Sequence, residues 1–213
     1  MQASHLEMYN EKTCDLLATE GAAKLGGMGC AKHGAGGVTT VANLTCSSVT
    51  SEADVHALLT TASGNRSVKA TKMNTSSSRS HSVFLLKVGA SHAAPGQSRS
   101  GHLVLVDLAG SERIDKSGVT GPELKEALAI NQSLSSLGNV IMALGKKQAH
   151  VPFRDSTLTY LLQNCLGGDS KTLMVVNVSP TCDSATETLN SLRFAAKVNA
   201  TEVGVAKKHG ANN

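Results

Sequence analysis

The sequence predicts an α/β layer fold, on three observations. Apolar runs of strand length alternate with longer stretches of helical periodicity. Two of the strand-like runs, Val83-Phe-Leu-Leu-Lys-Val88 and Leu103-Val-Leu-Val-Asp-Leu108, are almost continuously apolar and are joined by a Pro/Gly/Ser loop. Hydrophobic residues make up 40% of the 213 residues and charged residues 17%, a balance that excludes the disordered class.

The elements follow in order. Residues 1–17 read as a strand running into a turn: Leu6 and Met8 lie in the strand, Asn10-Glu-Lys ends it, and Asp15-Leu-Leu closes the segment. Residues 18–36 are rich in Gly, Ala and Lys and read as a loop. Val38–Val41 is a short strand candidate. Ser51 is a helix N-cap with Asp54 three residues on. Val55, Leu58, Leu59 and Ala62 form the apolar face of that helix, and Gly64 is the expected stop. Two strands follow, Ser82–Gly89 and Gly101–Leu108, close enough in sequence to pair antiparallel. Residues 122–145 carry the longest apolar stripe, from Leu124 to Leu144, and Gly145 can end it. A second helix is expected over 155–165, capped by Asp155 or Ser156. Thr172–Val178 reads as a buried strand, stopped by Pro180. Ser184–Val198 is amphipathic through Leu189, Leu192, Phe194, Ala195 and Val198. Residues 1–199 are expected to form one folded portion and 200–213 a polar tail.

Composition narrows the function classes. No apolar run reaches about 18 residues, so no membrane span is expected. Residues 1–20 carry no secretory signal pattern. The net charge of +4 is too mild to argue for a polyanionic partner, and no nucleic acid is expected. The five Cys, at 14, 30, 46, 165 and 182, include no C-x-x-C pair, which argues against a zinc ribbon or a dithiol site. Aromatic residues are only 2% and Trp is absent, so the core must come from Leu, Val, Ile and Ala.

Two clusters carry chemistry. The first is Asn74-Thr-Ser-Ser-Ser-Arg-Ser-His81, on a loop before a strand. The second is Asp107-Leu-Ala-Gly-Ser-Glu112, at the end of the next strand. An Asp at a strand end can hold the water shell of Mg²⁺, and a following Gly lets its N–H approach a γ-phosphate without a Cβ clash. The first cluster offers hydroxyls for Mg²⁺ and phosphate, and an Arg that can pair with a carboxylate. Taken singly, Asp-x-x-Gly is common and Ser-rich loops are usually solvated linkers. The two together, on neighbouring strands, are far more specific.

The pair resembles the switch loops of the kinesin motor domain, Asn-x-x-Ser-Ser-Arg-Ser-His and Asp-Leu-Ala-Gly-Ser-Glu. The likeness extends to Glu7-Met-Tyr-Asn-Glu11, Ile130-Asn-Gln-Ser-Leu134, Val151-Pro-Phe-Arg-Asp-Ser156, Leu161-Leu-Gln-Asn-Cys-Leu-Gly-Gly168 and Ser191-Leu-Arg-Phe-Ala195. It covers about residues 2–200 and is most like the C-terminal-motor, minus-end-directed group. The resemblance implies a three-layer motor fold around a central mixed sheet, a microtubule partner, and hydrolysis of ATP with Mg²⁺. It implies that Asn74, Ser77 and Ser78 line the nucleotide, with Ser78 also on the Mg²⁺. Asp107 would hold a Mg²⁺-bound water, and the Gly110 N–H would meet the γ-phosphate. Arg79 and Glu112 would form the ion pair that closes the switches and, with Ser78, positions the attacking water. Lys116, Lys125, Lys146, Lys147 and Arg154 would face the microtubule.

Two departures accompany the resemblance. No Gly-x-x-x-x-Gly-Lys-Ser/Thr loop occurs in these residues. Gly145-Lys146 lacks the earlier Gly, and in Gly168-Asp-Ser-Lys-Thr172 a Ser stands where the second Gly is required. Two explanations compete: a longer protein supplies the family's N-terminal strands and phosphate loop, or the chain is a truncated product that cannot hydrolyse ATP. Sheet physics favours the first, since open apolar edges would need that other half or a covering partner. Gln132, Thr157 and Tyr160 stand where the family carries basic side chains. They read first as drift on a solvated face, with affinity kept by the remaining basic residues, and otherwise as the mark of the rival reading, a kinesin-like structural protein of microtubules or an axoneme without turnover. Cytoplasmic microtubules are the expected location, with a cilium or axoneme as the alternative.

Overall fold

The computed structural model describes residues 1–19, 23–28, 31–33, 39–73, 77–91, 98–111, 121–167 and 170–202. The chain divides into two compact units, one of Met1–Lys32 and Thr40–Gly110, the other of His33–Thr39 and Ser111–Lys207.

The first unit is a sheet with one long helix against it. The strand expected near the N-terminus is a hairpin, β1 (Gln2–Tyr9) and β2 (Lys12–Asp15). Its two turn residues, Asn10 and Glu11, have φ of 50° and 57°, the left-handed pair that a two-residue hairpin turn needs. The stretch expected to be loop holds two short strands, β3 (Ala23–Gly26) and β4 (Ala31–His33). β5 (Thr39–Val41) and β6 (Ser47–Ser48) follow. The helix α1 runs over Glu52–Met73, and β7 (His81–Ser91) and β8 (Ser98–Asp107) close the unit. The sheet order is β3-β2-β1-β7-β8, with β6 also on β1. Where a mixed sheet was expected, every ladder described in it is antiparallel.

Ser51 caps α1 as expected. Its Oγ accepts the Asp54 N–H at 3.2 Å, and Asp54 Oδ2 accepts the Ser51 N–H at 2.9 Å. The helix does not stop at Gly64. Beyond it, Asn65 Nδ2 donates to the Leu16 carbonyl at 2.8 Å and Arg66 reaches β1. These contacts outweigh the roughly 1 kcal/mol cost of a helical Gly. Before Gly64, Val55 and Leu58 pack on Ala3, Val49 and Phe84, while Ala62 joins Leu16 and Leu17. Leu59, assigned to the same face, is 38% exposed.

The second unit is helical. α2 spans Pro122–Gly145, the predicted bounds, with Pro at its start. Ile130, Leu137, Val140 and Ile141 are its buried apolar face. By length and composition α2 could cross a bilayer, but it packs on α3 (Thr157–Leu161) and α4 (Ala185–Asn199) and buries Glu126. The helix expected over 155–165 is broken into a 3-10 turn at Phe153–Asp155, α3, and a 3-10 turn at Leu162–Asn164. Ser156 is its cap: Thr159 N–H donates to Ser156 Oγ at 3.1 Å, and Ser156 N–H to Thr159 Oγ1 at 3.2 Å. A Cβ on Gly145 would lie 2.9 Å from Thr201 Oγ1, so the close approach of the residues after α4 requires Gly there.

The expected strand Thr172–Val178 is not a strand. It has no ladder partner among the described residues, and Leu173 and Val175 are 87% and 74% exposed. Its apolar, β-branched sequence meets the local condition for a strand, but a strand also needs a neighbour. Of the expected tail, residues 203–213 lie outside the described residues.

Candidate functional site

β7 begins where the first cluster ends, and β8 ends where the second begins. The register pairs Ser82 with Asp107, so the two clusters meet at one end of the sheet. Ser77–Arg79 forms a 3-10 turn leading into β7. Ser78 is exposed and Arg79 half-buried. Asn74, Glu112 and Lys116 lie outside the described residues, so the Arg79–Glu112 pair does too.

Two hydrogen bonds join the clusters directly. The Gly110 N–H, expected to meet a phosphate, donates to the Ser78 carbonyl at 2.8 Å. The Ala109 N–H donates to His81 Nδ1 at 3.0 Å. His81 therefore carries its neutral-form proton on Nε2. Burial drives the His81 pKa down to about 4, helped by Arg66 and opposed by Asp107. His5, whose Nε2 meets Ser82 Oγ at 2.8 Å, is also lowered, by burial and by Arg66.

Arg66 is the residue that motif reading missed. Its Nε lies 3.3 Å from Glu7 Oε1, its Nη2 is 3.1 Å from both the carbonyl and the Oγ of Ser80, and its Nη1 is 3.5 Å from Asp107 Oδ2. Ser80 Oγ in turn donates to Glu7 Oε1 at 2.7 Å. One guanidinium thus touches β1, the start of β7 and the end of β8. The signal was present in the sequence: position 66 follows Ala62 by one helical repeat, so a cation falls on the buried stripe of α1. Glu7 was noted only as part of the first strand, yet it is 5% exposed and holds the other end of the pair.

The donor set fits a Mg²⁺ and the outer end of a phosphate chain. Asp107 sits at a strand end with its side chain 76% exposed, Ser78 is exposed at the other cluster, and oxygen ligands suit a hard cation. Among the described residues no three His, Cys, Asp or Glu side chains converge to hold a metal, so Mg²⁺ would be held there mainly by water and substrate oxygens. The described residues supply no cradle for the inner phosphates.

Of the expected track-facing residues, Lys125, Lys146, Lys147 and Arg154 belong to the second unit. Lys125 is exposed near the start of α2, and Lys146 and Lys147 are exposed just after its end. Lys147 Nζ is 3.7 Å from Glu202, an exposed pair. Arg154 lies over the Tyr160 ring, 6.0 Å from its centroid. Gln132 is exposed, but Thr157 is only 2% exposed, so its neutral side chain is part of a core and not of an open face.

Comparison with known proteins bears on the family of the chain. The kinesin motor domain family model matches residues 1–201. Kinesin-like protein KIN-14M of Arabidopsis thaliana is 55% identical over 98% of this chain and 29% of its own length. Human kinesin-like protein KIFC1 is 50% identical over 96% of this chain and 31% of its own. Among solved structures, a fast kinesin superposes with a TM-score of 0.86 at 39% identity, over 99% of this chain and 58% of that one. The motor domain of the Saccharomyces cerevisiae kinesin-related protein KAR3 superposes at 0.76 with 46% identity, over 93% and 59%. The chain therefore spans less than a third of the curated relatives it matches and under two thirds of those solved chains. With a match over nearly its whole length, joined switch clusters and an α/β fold around a central sheet, this chain belongs to the kinesin motor domain family.

Proposed function

We propose that this chain is the switch-bearing part of a microtubule-stimulated ATPase, acting with a phosphate-binding loop supplied by polypeptide outside these residues. The observation that carries the reading is the pair of hydrogen bonds joining the two clusters, with Asp107 and Ser78 exposed beside them. Mg²⁺, were it bound with ATP, would be held in this reading through the Asp107 and Ser78 oxygens and would neutralise charge developing on the phosphates. Phosphoryl transfer otherwise asks for placement more than covalent chemistry. In this reading Asp107 and Ser78 hold the Mg²⁺ shell, Asn74 and Ser77 line the nucleotide, and the Gly110 N–H meets the terminal phosphate. Arg79 pairs with Glu112 only when that phosphate is present, and the closed pair orders the attacking water. A pair with two discrete states can transmit the event along α2.

The partner of this activity is the microtubule. Tubulin's acidic surface would meet Lys116, Lys125, Lys146, Lys147 and Arg154, with salt-dependent affinity. The cytoskeleton is the corresponding location. β8 is the last strand in the described sheet order and carries exposed Leu103, Leu105 and Val106 at 48%, 55% and 37%, so an apolar edge strand is left of the kind folded proteins cover. The polypeptide bearing the phosphate loop is the proposed cover. The structural, non-hydrolysing reading is kept because Gln132 is exposed and neutral and Tyr160 engages Arg154.

Glu112→Ala in the full-length protein tests the latch. Stimulated hydrolysis should disappear while nucleotide binding persists. Unchanged turnover would refute the assignment.

A further inference from the structure

The two contacts between the clusters are made by consecutive backbone N–H groups, and they differ in what receives them. Ala109 N–H ends on an imidazole that is 4% exposed, from a residue that is itself 5% exposed. Gly110 N–H ends on the main-chain carbonyl of Ser78 at 2.8 Å, in a half-buried position. Only the φ and ψ of Ala109 separate the two N–H groups. Fixing the first therefore restricts the second.

We propose that His81 is a positioning residue of this site: by accepting the Ala109 N–H it holds the Ala109–Gly110 backbone against Ser78, so that the Ser78 carbonyl is the resting acceptor of the Gly110 N–H. The role goes beyond that of the Arg79–Glu112 pair, because it needs neither residue. It also rests on the reading of Gly110 as the amide that meets a γ-phosphate, since its consequence is an exchange of acceptors. A terminal phosphate takes the N–H from a neutral carbonyl. The exchange is downhill because a charged acceptor makes a hydrogen bond roughly twice as strong as a neutral one. The carbonyl of Ser78 is then released, and the turn Ser77–Arg79 that carries it is no longer tied to residue 110.

Amide hydrogen exchange, read at residue resolution by mass spectrometry on the full-length protein without nucleotide, tests the arrangement. In the unmodified chain the Ala109 and Gly110 amides should be protected. His81→Phe keeps a buried ring and removes the acceptor. It should speed exchange at Ala109 by about tenfold to a hundredfold, the range for a buried donor left unpaired, and at Gly110 by about tenfold. His81→Asn keeps an acceptor, Oδ1, at the branch point that Nδ1 occupies, and should restore protection at both. Leu85 and Leu86, inside the β7 ladder, are the control and should not change. Unchanged exchange at Ala109 in His81→Phe would overturn the proposal, and so would faster exchange at Ala109 with Gly110 unaffected. If His81→Phe also loosens Leu85 and Leu86, the Asn variant decides: protection at both amides supports the proposal and its loss at Ala109 overturns it. A protein with this exchange pattern and no ATP hydrolysis would sink the proposed function and leave the positioning role standing.

Discussion

Removing the Arg66 guanidinium is the sharpest perturbation of the site's scaffold. Arg66→Met keeps an unbranched apolar stem on α1 and deletes the charge. The Glu7 carboxylate, 5% exposed, then loses the guanidinium 3.3 Å away, while the Ser80 hydroxyl at 2.7 Å stays. Breaking a buried pair from one side costs about 3–5 kcal/mol, because the remaining charge stays buried. The exposed contact to Asp107 adds little, since exposed ion pairs are worth about 0–1 kcal/mol. The double variant Glu7→Gln/Arg66→Met removes the buried charge and should recover at least about 1–2 kcal/mol of the loss. Urea unfolding with the midpoint compared at constant slope measures this. Arg66→Met costing less than about 1 kcal/mol, or a double variant no better than the single, would refute the claim that a buried pair joins β1, β7 and β8.

Other outcomes follow from the same geometry. Burial depresses the His81 pKa to about 4 from 6.5, so the unfolded chain binds a proton between those values that the folded chain does not. Stability should therefore fall as pH drops from about 6.5 to 4, by up to about 3 kcal/mol. Denaturation midpoints of the unmodified chain should show that extra slope relative to His81→Asn, and parallel curves would contradict it. Ser156→Ala removes the α3 cap and should destabilise by about 1 kcal/mol, seen as a lower urea midpoint. Gly145→Ala places a Cβ 2.9 Å from Thr201 Oγ1 and should cost about 1 kcal/mol or more by overpacking. In a Thr201→Ala background the same change should instead stabilise, by about 0.5–1 kcal/mol of helix propensity.

Local signals in the sequence were reliable where the physics was local. Pro122 and Gly145 bound α2 because one pre-sets φ at a helix start and the other ends a continuous apolar stripe. The Ser51–Asp54 cap was readable for the same reason. Gly64 misled because what carries α1 past it lies on other elements: the Leu16 carbonyl and the Glu7 carboxylate. β3 and β4 are too short to show a period in a Gly-rich stretch. Thr172–Val178 has strand composition, but a ladder is a property of two segments, and sequence displays one. At the site, the motifs named Ser78, Asp107 and Gly110. They did not reveal that Ser78 and Gly110 bond to each other, that His81 receives Ala109, or that Arg66 joins three strands, because each contact forms only when distant segments are folded together.

The central claim is tested most directly by phosphate release from ATP in the full-length protein, with and without microtubules, alongside Asp107→Ala. The account predicts turnover that rises with microtubule concentration and falls to background in Asp107→Ala. Turnover that microtubules leave unchanged, or that survives loss of the Asp107 carboxylate, would contradict it.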